Sequence, residues 1–543
     1  MSANPAAAAG RSARWTDRLP RHLPAWLPFL WSRVLFPGRA DGTRRVRLLS
    51  LVLLAALPAA LLYPSRSYLL LEPDEGRYAQ IPREMLAAGD AVVPTLQGEP
   101  YLDKPPLFYW LVMLSYAVFG VTDAAARLVP AVAVHATVLA VYLIGRRSLG
   151  ERSAFWGALL LSLTPGFVGM GRLLILDGLL TFCVTLMLLA AFEAVRGEKL
   201  ARGWWLLAAA ACGFGVLTKG PVALILLLPP LLAYRWLTGG GTTVGRRAWA
   251  AFALVVAVIN APWYVAIYLR EPVFLRYFFW EHNVLRFLQP FDHLQPVWYY
   301  VPVFLAGMLP GTLLLPAFAR HLLTGDDAEA AKRSPELSFW LLAGGWCLLF
   351  FSVSGSKLPT YILPAFPPLA LALGNFIAGS RWSRSAWAPA VLASSGLAMA
   401  GAFYLAVPWY AERRSPVGRP ELVAPYVADP RETVVCYPRH CDSVAFYFGR
   451  DDLINYRSKE THLLVQSLLA RPRTIILLTH RHSLEALRQA LPEGLQISES
   501  VSLRHEPSGW PLLDRLAGDT PWGLCDIAVV EITVLADWKK RRG

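Results

Sequence analysis

Charged residues are scarce in this chain, at 17% of its 543 residues against about 25% in ordinary globular domains. Hydrophobic residues make up 55% of the sequence, and apolar runs of roughly 17 to 24 residues recur along it. An α-helix of that length crosses the hydrocarbon core of a bilayer, which is about 30 Å thick. The composition argues against an ordinary soluble protein and predicts a polytopic membrane protein.

Cysteine motifs are also lacking, because none of the six cysteines forms a CxxC pair or a zinc-finger spacing. Cys436, Cys441 and Cys525 lie in the C-terminal region, where one disulfide is open to them and Cys436–Cys441 is the nearest pair. That region has no GxGxxG, nucleotide-binding loop or nucleophile elbow, so we expect it to act as a cover or docking surface. The net charge of +14 lies largely in short loops, where it sets membrane orientation and predicts no nucleic-acid partner.

The hydropathy pattern divides the chain into three parts. We predict a basic cytoplasmic segment over 1–47, an all-α membrane domain over 48–409, and a small periplasmic α/β domain over 410–543. Outer loops are expected at 66–124 and 270–296, with amphipathic helices at the outer face. We predict about 11 to 13 transmembrane helices, near 48–65, 125–148, 153–171, 173–195, 202–218, 220–237, 247–269, 297–319, 337–353, 358–379 and 386–409. The segment 107–121 is short and starts with two prolines, so it is not counted as a span.

A charged patch between apolar runs is the feature most suggestive of a function. EPDEGRYAQIPREML begins at Glu72 and is followed by YLDKPPLFYW from Tyr101. Pro73 suits a helix start and Gly89 a helix end. Asp74 and Glu75 would then occupy the first turn, where the helix dipole favours negative charge. Stabilisation of the helix start is therefore enough to explain both acids. Asp74 is the stronger candidate for a functional role as well, whereas for Glu75 a helix-stabilising role and a functional role both stay open.

Further polar residues fall on the same predicted side of the membrane: Asp177, Lys219, Lys357, Tyr361 and the long-loop residues His282 and Arg286. Such an edge suits a substrate with an apolar tail and an anionic head, because lysine and arginine bind phosphate. A carboxylate there can position or deprotonate an acceptor. The alternative for the lysines is that they only extend their charged ends to the membrane surface.

Five motifs together resemble the lipid A aminoarabinose transferases, which belong to the GT-C class of membrane glycosyltransferases with the protein O-mannosyltransferases. They are DEGRYAQIPREML, DKPPLFYWL, RLLILDGLL, LTKGP and SKLPTYILPAFPPLAL. The resemblance covers about residues 50–410. It implies a GT-C fold, a polyprenyl-phosphate-linked sugar as donor, and a site at the outer face of the bacterial inner membrane.

The resemblance also implies roles for individual residues. Asp74 matches the essential acidic residue of the family, and Asp177 matches a second carboxylate that meets the amino sugar. Donor-binding positions are matched by Lys104, Arg286, Arg77, Tyr78, Tyr101 and Tyr361. No cofactor is required, although the family can hold an accessory zinc ion at positions matched here by Asp103 and His282. Asp is one methylene shorter than the family's usual Glu, and two ligands make a weak zinc site.

The function implied is transfer of 4-amino-4-deoxy-L-arabinose from undecaprenyl phosphate to a lipid A phosphate, a lipopolysaccharide modification that confers polymyxin resistance. An alternative is transfer of galacturonic acid or a hexose to lipopolysaccharide core, another glycan or protein. Two further alternatives are a transporter of lipid-linked sugars and a scaffold that binds through its C-terminal domain. Transporters usually place their sites near the membrane midplane, whereas the polar residues here gather at one edge.

Overall fold

A computed structural model describes residues 44–238, 242–289, 292–324, 336–385, 387–479, 484–503, 509–512 and 524–532. The predicted cytoplasmic segment 1–47 therefore lies outside the described residues except for 44–47. Up to residue 427 the described chain is almost entirely helical, and a mixed sheet follows. The helical part contains nearly all residues that carry the candidate site.

The first half of the helical part alternates long helices with short connections. Its helices are Arg44–Leu62, Asp74–Ala88, Leu107–Phe119, Asp123–Ala126, Leu128–Leu149, Glu151–Ser162, Pro165–Arg172, Asp177–Val195, Arg202–Lys219, Val222–Thr238 and Arg246–Arg270. A two-stranded antiparallel hairpin, Thr95–Leu96 with Glu99–Pro100, interrupts the first outer loop. The second outer loop continues as Val273–Leu275, the π-helix Arg276–Leu285 and Arg286–Leu288.

The second half is more broken by proline and by 3-10 and π turns. Its helices are Val297–Tyr299, Tyr300–Gly307, Gly311–Leu314, Leu315–Leu323, Leu337–Val353, Pro359–Ala365, Phe366–Gly379, Arg381–Arg384, Ala388–Gly401, Ala402–Ala406, Val407–Arg414 and Pro420–Val427. Helix Asp177–Val195 packs between Leu128–Leu149 and Arg202–Lys219.

The helices that could cross a membrane coincide with predicted spans. Six helices in the described residues are long and apolar enough to cross a membrane, or eight if two bent pairs each count as one span. The bent pairs are the predicted spans 153–171 and 297–319, which turn by 57° and 101°. Val222–Thr238 and Leu337–Val353 are apolar but have only 17 residues each, about 26 Å of helix. Together with Arg202–Lys219, these two helices occupy the three predicted spans outside that set. Each of the eleven predicted spans therefore has a helix, and the count of 11 to 13 stays a prediction.

Small residues allow the helices to approach one another closely. A Cβ on Gly374 would lie 2.4 Å from the backbone nitrogen of Gly157, so the helices Phe366–Gly379 and Glu151–Ser162 meet backbone to backbone there. The hydrophobic effect does not drive helices together inside a membrane, because lipid tails are as apolar as the side chains. Close van der Waals packing at small residues therefore supplies much of the attraction.

The first-loop helix Asp74–Ala88 has the ends that the sequence predicted. Pro73 precedes it, and Gly89 ends it at φ 65°, in the left-handed region that suits glycine. Tyr78, Ile81 and Met85 are buried, as expected of one apolar stripe. The helix is more enclosed than an interfacial helix, because Leu107–Phe119 packs on one side and Asp442–Phe448 of the C-terminal region on another.

The C-terminal region contains a five-stranded sheet. Its strands are Val434–Tyr437, Ile454–Asn455, Arg473–Thr479, Leu495–Ser502 and Leu524–Ile532, and its other elements are the helices Asp442–Phe448, Thr461–Leu469 and Leu484–Ala490 and the turn Ser458–Glu460. Val434–Tyr437 pairs in parallel with Ile454–Asn455 and with Arg473–Thr479, whereas Leu524–Ile532 runs antiparallel to its two neighbours.

The predicted boundary at 410 falls inside the helix Val407–Arg414. Cys436 and Cys441 are buried free thiols and do not form the disulfide left open by the sequence.

Candidate active site

Asp74 and Glu75 are neighbours in the first turn of the first-loop helix but face different surroundings. The Asp74 side chain is 46% exposed and its Oδ1 lies 3.7 Å from Nη1 of Arg77. The Glu75 side chain is 3% exposed and accepts two hydrogen bonds from Arg127, of 2.9 and 2.7 Å. It also accepts from the backbone nitrogens of Leu71 and Leu174. Glu75 therefore holds the first loop to the membrane helices, and only Asp74 is accessible to a substrate.

Arg77 connects Asp74 to the second charged motif. Its guanidinium lies 5.9 Å from the ring centroid of Tyr101, and the Tyr101 side chain is close enough to Arg77 and Asp103 to interact with both. Tyr78, the next residue, is buried, with its ring 6.1 Å from the ring centroid of Phe108. Its hydroxyl is close enough to Tyr101, Asp74 and Arg77 for their charges to affect it. Tyr78 therefore lies with Arg77 and Tyr101 near the predicted donor-binding side.

Lys104, His282 and Arg286 form the centre of the site. The Lys104 ammonium donates to Nε2 of His282 at 2.7 Å and to its neighbour's backbone carbonyl, Asp103 O, at 3.1 Å. Arg286 Nη1 lies 3.4 Å from the same histidine nitrogen, and its Nη2 donates to Asp292 Oδ2 at 2.9 Å. Two cations from different outer loops therefore meet at one imidazole.

The protonation of this centre follows from burial and from the crowding of positive charge. Burial lowers the pKa of Lys104; Asp103 opposes the shift, Lys219, Arg286 and Arg77 add to it, and the resulting pKa is about 7. Burial and then the Lys104 charge lower the pKa of His282 to about 3. The imidazole is neutral near pH 7 and accepts the lysine's hydrogen bond. Lys104 is then a cation that an incoming anion would stabilise.

Asp103 is the acidic member of the predicted metal pair. Its Oδ1 accepts a 2.6 Å hydrogen bond from the Tyr277 hydroxyl and lies 4.0 Å from Nδ1 of His282. No group of three or more His, Cys, Asp or Glu side chains converges anywhere in the described part of the chain. Two protein ligands beside the cation Lys104 do not match the three or four that zinc normally takes. The residues present do not fit a zinc ion, and no chemical step is assigned to one.

Asp177 and Lys219 form a second pair beside this centre. The Lys219 ammonium donates to Asp177 Oδ1 at 2.7 Å and lies 4.6 Å from the ring centroid of Tyr361. Asp177 begins its helix and is buried, so the ion pair supplies the partner that a buried carboxylate needs. Lys104 and Lys219 are close enough for their charges to interact.

Lys357 is placed differently from the other candidates. Its ammonium donates to the backbone carbonyls of Ser354 and Gln295, and its own backbone nitrogen donates to His293 O at 3.0 Å. It is 3% exposed. Lys357 therefore fastens the loop before Tyr361 to the long outer loop and does not reach the cation centre.

Sequence reasoning missed the residues that hold the site together. Arg127 is fully buried between Glu75 and the carbonyls of residues 66, 68 and 69. Arg172 is bound to four carbonyls of residues 61–65. A basic residue at the start of an apolar run was the available signal, but it is typical of membrane-flanking residues as well. Asp292 and Tyr277, which hold Arg286 and Asp103, had no signal of their own.

Comparisons with known proteins agree with the motifs. Residues 103–268 match the family described as dolichyl-phosphate-mannose-protein mannosyltransferase. An undecaprenyl phosphate-alpha-4-amino-4-deoxy-L-arabinose arabinosyl transferase 1 from Pseudomonas fluorescens is 35% identical over 322 residues, 58% of this chain and 55% of that protein. A Yersinia enterocolitica transferase named for the same activity is 38% identical over 60% of this chain and 58% of its own length. The resemblance predicted from the motifs is confirmed.

The matches to these aminoarabinose transferases span less than two thirds of the relatives' length. Structural similarity extends further. The crystal structure of ArnT from Cupriavidus metallidurans bound to undecaprenyl phosphate superposes with a TM-score of 0.67, covering 89% of this chain and 98% of that one at 19% identity. The predicted GT-C membrane fold of a multi-pass membrane protein is therefore confirmed.

Proposed function

We propose that this protein is a membrane glycosyltransferase that moves 4-amino-4-deoxy-L-arabinose from a polyprenyl-phosphate carrier to a lipid A phosphate. The reaction takes place at the outer face of the bacterial inner membrane, with the C-terminal domain on the periplasmic side. The observation that carries the proposal is the meeting of Lys104 and Arg286 at His282. Such a centre of partly buried positive charge suits an anionic head group. The printed names of the relatives supply the sugar and the carrier.

Transfer breaks the bond between the anomeric carbon and the carrier's phosphate oxygen. Lys104 and Arg286 stabilise the charge that develops on the leaving phosphate, which is usually the largest contribution to such catalysis. His282, held neutral, orients the Lys104 ammonium by accepting one of its hydrogen bonds. No cofactor is required for this chemistry, since the leaving group departs as a phosphate already bound by cations.

Asp74 is the exposed carboxylate that pairs with Arg77, whose charge in turn affects Lys104. A lipid A phosphate acceptor is already ionised, so Asp74 orients it or stabilises the positive charge that develops on the sugar. For a hydroxyl acceptor it would act as general base. Asp177 already binds Lys219 through Oδ1, and its Oδ2 would meet the ammonium of the amino sugar.

Mass spectrometry of lipid A from cells with and without this protein tests the proposal. Lipid A that gains one pentosamine only when the protein is present supports aminoarabinose transfer. Unchanged lipid A with an altered lipopolysaccharide core, glycan or protein would instead support another polyprenyl-linked sugar, such as galacturonic acid or a hexose. Vesicles that take up labelled lipid-linked sugar without forming a product would favour a transporter.

A further inference from the structure

A second cluster of acidic side chains lies where the first-loop helix contacts the C-terminal domain. Asp442 begins the helix Asp442–Phe448 and is 0% exposed. Its Oδ1 accepts a 3.4 Å hydrogen bond from Gln97. Its Oδ2 has no hydrogen-bond partner but lies 4.0 Å from Nε of Arg77. A buried carboxylate oxygen in this position is stabilised chiefly by the arginine's charge.

Glu72 is the other carboxylate in this cluster. Its Oε1 accepts a 2.6 Å hydrogen bond from the backbone nitrogen of Ser443, and its Oε2 has no partner. Burial and the neighbouring Asp442 raise the pKa of Glu72 to about 8. Glu72 is therefore mostly neutral at pH 7. The Asp442 side chain is the acidic group of this cluster that lies within 4.0 Å of Arg77.

The contact is close enough to fix the positions of both helices. A Cβ on Gly76 would lie 2.6 Å from the Ser443 nitrogen and 2.8 Å from Glu72 Oε1. Only glycine allows the first-loop helix to approach the C-terminal domain at this distance. Arg77 follows directly in the chain, so the position of the domain determines where its guanidinium lies.

We infer that Asp442 is a positioning residue for the membrane site, through which the C-terminal domain holds Arg77 between Asp74 and Tyr101. Arg77 is bracketed by the buried carboxylate of Asp442 on one side and the exposed carboxylate of Asp74 on the other. The buried charge prevents Arg77 from folding back onto Asp74 alone. The inference rests on the proposed function, because it gives Arg77 a share in binding the donor phosphate.

The test is a double-mutant cycle on the full-length protein in detergent, with undecaprenyl phosphate as the probe. Asp442→Asn keeps the shape of the side chain and removes its charge. We expect it to weaken undecaprenyl phosphate binding by about five- to twentyfold, and Arg77→Gln to weaken it at least as much. If Asp442 acts through Arg77, the double variant binds no more weakly than Arg77→Gln alone.

Asp526→Asn is the matched control, since Asp526 is a buried aspartate in the sheet of the same domain; we expect binding within about twofold of wild type. Effects of Asp442→Asn and Arg77→Gln that add would overturn the inference, as would an unchanged affinity in Asp442→Asn. Gel filtration checks that each variant folds, and Asp442→Ser is a second variant at the same position. If neither Asp442→Asn nor Asp442→Ser folds, Asp442 is a structural residue and the inference is overturned as well. Wild-type protein that does not bind undecaprenyl phosphate would instead contradict the proposed function.

Discussion

Lys104 Nζ and His282 Nε2 lie 2.7 Å apart, and the imidazole is the acceptor in this hydrogen bond. One of the two nitrogens must lack a proton for the contact to be favourable. His282 is the group that lacks the proton, because its pKa is lowered to about 3, whereas the pKa of Lys104 is lowered to about 7. The charge on Lys104 is therefore sensitive to pH near pH 7.

This relationship predicts how transfer depends on pH. Lys104 is a cation below its pKa and neutral above it, so donor binding should weaken as pH rises through about 7. We expect kcat/KM for the donor to fall above that pH, because kcat/KM reports the free enzyme. Bound phosphate raises the lysine pKa, so kcat should fall only at higher pH. Steady-state kinetics from about pH 6 to about pH 9 measure both, from roughly one unit below the transition to roughly two units above it.

Lys104→Arg is the matched variant for this prediction, since arginine stays charged throughout that range. Its kcat/KM should be lower than that of wild type but flat across the alkaline limb. An alkaline fall that persists in Lys104→Arg would assign the titration to another group.

The Asp177–Lys219 pair predicts discrimination between donors. Asp177→Asn removes the charge that would meet an amino sugar, so we expect kcat/KM for the aminoarabinose donor to fall by about 10- to 100-fold. A polyprenyl phosphate carrying an uncharged pentose should be affected much less. Competition between the two donors measures the ratio directly. An equal loss for both donors would leave Asp177 with a structural role only.

Glu75 and Asp74 provide a matched pair for separating stability from catalysis. Glu75→Gln leaves the buried Arg127 guanidinium without its counter-charge, a change that typically costs about 3–5 kcal/mol. We expect a lower Tm in detergent for that variant. Asp74→Asn changes an exposed side chain, so its Tm should stay close to the wild-type value. A Glu75→Gln protein with wild-type Tm and no transfer would place Glu75 in the chemistry.

Metal removal tests the assignment of Asp103 and His282. The ligand set does not fit zinc, so treatment with a chelator should leave the transfer rate within about twofold of the untreated protein. The rate is measured again after zinc is added back. Loss on chelation that zinc restores would show that the pair holds a functional metal.

Most residues of the candidate site could be picked out from sequence motifs, because those motifs depend on features within a few residues of one another. Pro73 and Gly89 set the ends of the first-loop helix, and charged residues near apolar runs marked Asp74, Lys104 and Asp177. Long-range partners were not predictable in the same way. Arg127 finds Glu75 across 52 positions of the chain, and no periodicity reports such a pairing.

The bend inside the predicted span 297–319 and the role of Lys357 show the other limit of sequence reasoning. Hydropathy detects apolar runs but not the 101° bend between Val297–Gly307 and Gly311–Leu323. An isolated lysine near an outer loop resembles a ligand-binding cation. The structure instead places Lys357 on backbone carbonyls, which only the folded loops bring to it.

Transfer by purified Asp74→Ala protein is the measurement that tests the central claim most directly. The assay supplies undecaprenyl-phosphate aminoarabinose and lipid A, and counts product by mass spectrometry against wild type. Because Asp74 is an exposed carboxylate paired with Arg77, we expect folded, membrane-inserted variant protein and a loss of transfer of well over about tenfold. A rate within about tenfold of wild type would contradict the assignment of Asp74 to the reaction.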